Sequence, residues 1–149
     1  VMDISEGRLD FCRRQFGVKN TLTPVDAPAR LREIGGGERP TVIFDATGNA
    51  KSMASTFELA EHGGRIVFVG LFQGDVTFND PNFHRRELTV SSSRNALGST
   101  FREIIALAES GRIDTRPWIT HRFTLEETPE TFPEVAHDPS LVKAVIKVT

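Results

Sequence analysis

One strand–helix–strand unit between Thr41 and Phe72 sets the frame into which the rest of the chain must fit. Val42, Ile43 and Phe44 form a short apolar run that stops at Asp45, and Ile66 to Val69 form a second that stops at Gly70. The segment between them has the length of a helix, beginning near Asn49 or Lys51. It carries Met53, Phe57, Leu59 and Ala60 toward a sheet and ends at Gly63 and Gly64. Both apolar runs are continuous rather than alternating, the pattern of parallel strands covered on both faces. In open α/β sheets ligands bind beyond the carboxyl ends of the strands, so Ala46 to Asn49 and Gly70 to Phe72 are the first places to look for a site.

The chain opens on Val1, Met2 and Asp3, an apolar strand ending in a carboxylate, with nothing before it to begin a fold; it reads as the continuation of something longer. Leu9, Cys12 and Phe16 fall on one side of a helix spanning Ser5 to Phe16, which Gly17 stops. Val18 to Leu22 reads as a short strand, and a weak helix runs from Asp26, a plausible N-cap, to Ile34. Gly35, Gly36 and Gly37 follow a helix and precede a strand, the reverse of the order in a phosphate loop, and read as a flexible connection. After Phe72 come a polar loop, a helical turn over Asn82 to Glu87 and a strand over Leu88 to Ser92. Thr100 and Glu103 have the spacing of a capping box for a helix bearing Phe101, Ile104, Ile105, Leu107 and Ala108, which ends at Gly111. Strand and helix in alternation predict an α/β fold with a doubly wound parallel sheet. The tail departs from that pattern. A strand over Ile119 to Phe123, a helix from Glu126 to Ala136 with Thr124 and Glu127 as capping box, and a strand over Ala144 to Val148 need not join the same sheet; Pro129 is close enough to the first turn to be tolerated.

Composition narrows the function classes. At 149 residues, with eleven Phe and no Tyr, the chain can pack a core as a soluble globular protein. Eighteen basic against twenty acidic residues, a net charge of −2, give no electrostatic reason to expect nucleic acid or a membrane surface as partner. The single cysteine, Cys12, falls on the apolar stripe of its helix and reads as a small core residue. No apolar run has the length of a membrane span or of a signal-peptide core, which makes the cytoplasm the expected location. His62, His84, His121 and His137 lie far apart, with no Cys or His at ligand spacing, so no zinc site is expected within the chain.

Several strand ends carry small or polar residues. Asp3, with Arg8 five residues on, is placed to accept both hydroxyl hydrogens of an adenosine ribose and would repel a 2′-phosphate, which favours NAD over NADP. The alternative is a carboxylate stabilised at a helix N-terminus beside a solvated arginine. Thr47 and Gly48 form a small loop that flat cofactor rings can approach, or simply a turn before a helix. Gly70 and Leu71 can present backbone groups to a carboxamide, and Ser93, Arg94 and Asn95 make a third polar cluster at a third strand end.

In this order and spacing VMDIS with Arg8, VIFDATGN, GGRIVFVGLF, LTVSSSRN, ESGRID, ITHRFTLEETPETF and VKAVIKV resemble the medium-chain dehydrogenase/reductase family, within it the zinc-dependent alcohol, polyol and sugar-acid dehydrogenases. The resemblance covers essentially the whole chain. It implies a Rossmann-type NAD-binding fold in which Asp3 holds the adenosine ribose with help from Arg8. It further implies that Thr47 and Gly48 border the cofactor, that Gly70 and Leu71 flank the nicotinamide, that Ser93, Arg94 and Asn95 lie near it, and that Lys143 falls near the pyrophosphate. The family's catalytic zinc domain, first Rossmann strand and glycine-rich turn have no counterpart here. The chain therefore reads as a partial NAD-binding domain over residues 1–112, and a segment over 113–149 that would return toward a catalytic domain.

The resulting expectation is the cofactor-binding portion of an NAD-dependent alcohol dehydrogenase acting on an alcohol, polyol or sugar acid. The zinc belongs to the parent enzyme and not to this chain, and the chain alone is inactive. The family's pairing of sixth strands predicts a homodimer or higher oligomer through Leu88 to Ser92. A non-catalytic nucleotide-binding or assembly module is the alternative, and a methyltransferase, which also places a carboxylate after its second strand, is a third.

Overall fold

The computed structural model of the chain describes residues 1–148, which divide into two compact units. The first comprises Val1, Asp3–Thr21 and the chain from Ala96 onward, and the second comprises Met2 and Leu22–Asn95.

The second unit holds the strand–helix–strand core. Strands β1 (Val42–Asp45), β2 (Arg65–Phe68) and β3 (Thr89–Ser92) pair in parallel in the order β1-β2-β3. Helices α2 (Ala27–Ile34), α3 (Ala50–Leu59) and α4 (Asp80–Arg85) surround them in sequence. Helix α3 starts where Asn49 leaves the helical region and its Oδ1 accepts from the amides of Lys51 and Ser52 (3.0 and 3.2 Å). It buries Met53, Phe57 and Leu59, with Ala60 just beyond its end. The core forms where α3 lies on the sheet: Phe57, Ala60, Ile66 and Leu88 are buried together, with Ile43, Phe68 and Phe83 packed around them. Phe78 stacks on Phe57 at 4.3 Å. Burying each such side chain contributes about 1.5–3 kcal/mol, which makes this layer the main source of the unit's stability. Asn82 is buried in α4 and donates through Nδ2 to the carbonyl of Phe57 (2.9 Å), tying α4 to the end of α3.

Coverage of the sheet differs from the sequence expectation. Side chains alternate across a strand, so the Ile43, Ile66 and Phe68 positions meet α3 and α4 while the intervening ones point the other way. Val42 and Phe44 are 48% and 70% exposed, so β1 is not covered on both faces. The strand expected over Val18 to Leu22 reduces to one parallel bridge between Met2 and Leu22. Asp26 precedes α2 without a side-chain cap bond; its Oδ2 instead accepts from the Thr23 hydroxyl (2.8 Å).

In the first unit, α1 (Glu6–Phe16) begins at Ser5, whose hydroxyl accepts from the amide of Arg8, and ends at Gly17 with φ of 62°. Leu9 is fully buried and Cys12 partly so. Helix α5 (Gly98–Glu109) starts ahead of the expected capping box, with Thr100 and Glu103 inside it and no side-chain cap at Leu97. Its apolar residues Phe101, Ile104 and Ile105 are exposed. The second box does form: the amide of Thr124 donates to Glu127 Oε2 (2.7 Å) and that of Glu127 to Thr124 Oγ1 (3.3 Å), just before α6 (Thr128–Val135). Strands β4 (His121–Thr124) and β5 (Ala144–Lys147) pair in parallel as a separate two-stranded sheet. The tail thus lies outside the three-stranded sheet, as its departure from the alternating pattern allowed. No helix among the described residues is long and apolar enough to cross a membrane.

Candidate functional site

The parallel register places the carboxyl ends of β1, β2 and β3 side by side, with Asp45, Phe68 and Ser92 as direct partners. Residues that follow these three positions therefore emerge on one edge of the sheet. Thr47 and Gly48 follow β1, Gly70 and Leu71 follow β2, and Ser93, Arg94 and Asn95 follow β3.

Asp45 holds this edge together, a role the sequence reading did not assign. It is 4% exposed, and its Oδ1 accepts from both the amide and the hydroxyl of Thr47 (2.9 and 2.7 Å) while Oδ2 accepts from the Ser52 hydroxyl (2.6 Å). Its carbonyl accepts from the amides of Val69 and Gly70 (2.8 and 3.0 Å). One residue thus fixes the first loop, the first turn of α3 and the start of the second loop. The signal in the sequence is an Asp-x-Thr pair at a strand end, the chemistry of an Asx turn, followed by Ser in the first turn of the next helix. The Thr47 hydroxyl donates to Asp45 and accepts from the amide of Asn49 (3.1 Å), so its hydrogen-bonding is spent on the loop's shape.

Gly48 and Gly70 are needed because the two loops cross backbone to backbone. A Cβ at Gly70 would lie 2.2 Å from the amide nitrogen of Gly48, and one at Gly48, where φ is 60°, would lie 2.7 Å from the carbonyl oxygen of Leu71. This close approach leaves a low wall of backbone in front of the strands, capped by Leu71, whose side chain is 80% exposed. Ser93 is joined to the same edge by its amide, which donates to the carbonyl of Phe68 (2.9 Å). Asn95 turns the chain away in the left-handed region, with φ of 58°.

Three of the expected residues belong to the other unit. Asp3 accepts from the amide of Ser5 through Oδ1 (2.8 Å), and Arg8 Nη1 stands 3.9 Å from Asp3 Oδ2. The second carboxylate oxygen thus keeps acceptor capacity, which a ribose diol requires. Lys143 is exposed just before β5, and its carbonyl accepts from the amides of Thr120 and His121 (3.0 and 3.2 Å). Its backbone joins the starts of β4 and β5 while the residue is exposed to solvent.

Among the described residues, no three of His, Cys, Asp and Glu lie together in a way that could hold a metal ion, so these residues do not fit a zinc ion. Gly48 and Gly70 lack side chains because each faces the backbone of the other loop, and the pair presents main chain rather than side chains at this edge.

A family model described as zinc-binding dehydrogenase matches residues 1–110. L-galactonate-5-dehydrogenase of Escherichia coli (strain K12) is 40% identical over 122 residues, which cover 81% of this chain and 36% of that protein. A short chain alcohol dehydrogenase from E. coli CFT073, complexed with cofactor NADH, has the same fold at a TM-score of 0.86 and 22% identity, covering 99% of this chain and 44% of that one. A Sinorhizobium meliloti structure bound to NADP has it at a TM-score of 0.80 and 21% identity, again covering 99% and 44%. The chain spans about two fifths of the length of the proteins it matches.

Proposed function

The chain belongs to the zinc-binding dehydrogenase family, and on that premise we propose that it is the cofactor-binding portion of an NAD-dependent, zinc-type dehydrogenase of alcohols, polyols or sugar acids. The observation that carries this reading is the crossing of the two glycine loops over the aligned ends of β1 and β2, which offers backbone in place of side chains at the position where open α/β sheets take their ligands.

In this reading Asp3 takes the adenosine ribose hydroxyls, with Arg8 beside it, and Lys143 serves the pyrophosphate. Thr47 and Gly48, with Gly70 and Leu71, border the nicotinamide, and Ser93, Arg94 and Asn95 complete that edge. When bound, the nicotinamide ring supplies the hydride acceptor for alcohol oxidation. The chain's own residues bind and orient that ring: the Asp45 network holds the first loop in place, and exposed Leu71 offers an apolar surface beside the edge. No proton-transfer step is assigned to them. A 40% identity to L-galactonate-5-dehydrogenase supports a polyhydroxylated substrate such as a polyol or sugar acid. The division at residue 112, the cytoplasm as location and a homodimer through the β3 edge belong to the same reading.

NAD is favoured over NADP because a carboxylate at Asp3 accepts from two ribose hydroxyls and repels a 2′-phosphate. Calorimetric titration of the full chain tests this. NAD binds and NADP binds more weakly, and Asp3→Ser weakens NAD by about tenfold, the loss of a charge-assisted hydrogen-bond pair, while leaving NADP unchanged or improved. Preference for NADP in the unaltered chain would refute the assignment. Binding of S-adenosylmethionine in place of either would point to a methyltransferase, and binding of none to the assembly module.

A further inference from the structure

The opposite end of the same sheet carries a second concentration of charge. Arg32, Arg39, Arg85 and Arg86, with Glu61 and His62, line an open cleft of about 240 Å³. Arg39, Glu61 and Arg86 come just before β1, β2 and β3, and because those strands are parallel all three lie at the amino edge. With four residues per strand, that edge stands roughly 13 Å from the loops of Gly48 and Gly70.

The cleft is built around the end of α3. Arg39 Nη1 and Arg86 Nη1 both donate to the carbonyl of Glu58 (2.9 and 3.0 Å), and Arg86 Nη1 also donates to that of Ala60 (2.7 Å). Cations at a helix C-terminus are stabilised by its dipole, which accounts for each arginine separately. It does not account for two guanidinium nitrogens held on one carbonyl oxygen, within about 6 Å of each other, with two more arginines beside them. The one carboxylate lining the cleft is already engaged: Glu61 Oε2 accepts from the amide of Arg39 (2.7 Å) and Oε1 from that of His62 (2.9 Å). These amides hold its carboxyl below the usual range. His62 faces Glu87, at 3.7 Å, and Arg85 leans on Asn82 Oδ1 through Nη2 (3.1 Å). Burial first, then the like charges of Arg86 and Arg32, lower the Arg39 pKa against the opposing pull of Glu61 and Glu58.

We infer that this cleft is a binding site for a compact, multiply charged oxyanion of the phosphate class, separate from the nucleotide edge. Four guanidiniums against the lining carboxylate of Glu61, with Glu58 and Glu87 at the margin, leave a net positive site, and planar guanidinium forks match phosphate oxygens in pairs. The cleft is open to solvent and lined by charged side chains, so the group it holds is compact and charged, a phosphate or diphosphate group or a molecule presenting one. An anion there neutralises the repulsion among the arginines and links the segments leading into all three strands.

The test is calorimetric titration of the full chain with inorganic phosphate and with pyrophosphate at constant ionic strength. Saturable one-to-one binding is expected, with affinity at least tenfold lower in Arg32→Gln/Arg85→Gln, neither of which caps α3. The charge-matched control Arg102→Gln/Arg112→Gln keeps the wild-type affinity. Absence of saturable binding, equal binding of chloride, or unchanged affinity in Arg32→Gln/Arg85→Gln would each overturn the inference. The outcome is independent of the cofactor reading, because the arginine variants leave the glycine loops untouched and NAD binding is recorded separately.

Discussion

Asp45 shows how one buried carboxylate shapes an entire edge. It receives hydrogen bonds at its side chain from Thr47 and Ser52 and at its carbonyl from Val69 and Gly70, so replacing the side chain frees the first loop from the first turn of α3 while the carbonyl bonds to the second loop stay. Asp45→Ala lowers unfolding free energy by about 2–4 kcal/mol, since hydrogen bonds to an ionised group carry more weight than neutral ones and the amide and hydroxyl donors are left unpaired. Urea denaturation checks the value, and an unchanged midpoint would remove Asp45 from this role. Gly70→Ala acts by a different cause, forcing the loops apart where a Cβ would meet the Gly48 nitrogen at 2.2 Å. It weakens NAD binding more than Thr47→Ser, which keeps the hydroxyl. Of these features, the glycines and Thr47 were legible in the sequence as small residues at strand ends. The Asp45 network was not, because three of its contacts come from side chains or amides whose nearness exists only once β1, α3 and β2 are packed.

At the scale of elements, the strands and helices with strong local signals were legible. The helix ended by Gly17, the helix begun by Asn49 and the box of Thr124 and Glu127 all rest on contacts within a few residues, and each stands in the structure. The box of Thr100 and Glu103 does not, because α5 extends back to Gly98 and takes both residues into its interior. Nor could continuous apolar runs reveal how many faces of β1 are covered, since coverage depends on where α3 and α4 settle. The dimer proposal lives at this scale as well. Strand β3 is an edge strand of the three-stranded sheet, with all four residues exposed. The amides of Thr89 and Ser93 donate inward to the carbonyls of Gly64 and Phe68, so by the alternation of a strand the amide of Val90 points out from the free edge. Val90→Pro removes that outward donor without cutting the pairing of β3 with β2. Size measurement by light scattering is expected to give a dimer for the wild type and a monomer for Val90→Pro with unchanged circular dichroism. A monomeric wild type, or a dimeric variant, would count against the edge as the interface.

For the whole molecule, the resemblance to zinc-type dehydrogenases is borne out by the family match, and the α/β architecture by the parallel sheets and the related structures. What ordered motifs could not convey is the division into two compact units, because the first joins the chain's opening helix to its tail. In that unit Arg116 lowers Asp114 to about 2 through paired hydrogen bonds, and Ser140, then His121, lower Asp138. Both carboxylates bind protons less readily when folded. Their stabilising contribution is therefore complete above the unfolded value near 4 and is lost as pH falls toward 2. Fluorescence of Trp118, the single tryptophan, reports acid unfolding of this unit. Asp114→Asn/Asp138→Asn flattens the dependence between pH 4 and pH 2, and an unchanged slope would show that the loss arises elsewhere.

The central claim is that the carboxyl edge of the sheet is one wall of a nicotinamide cofactor site. Amide chemical-shift mapping of the ¹⁵N-labelled chain on addition of NAD tests it directly. Saturable shifts are predicted at Gly48, Gly70, Leu71 and Ser93, with Glu61 and Glu87 at the amino edge unmoved. No saturable shift, or shifts confined to the amino edge, would contradict it.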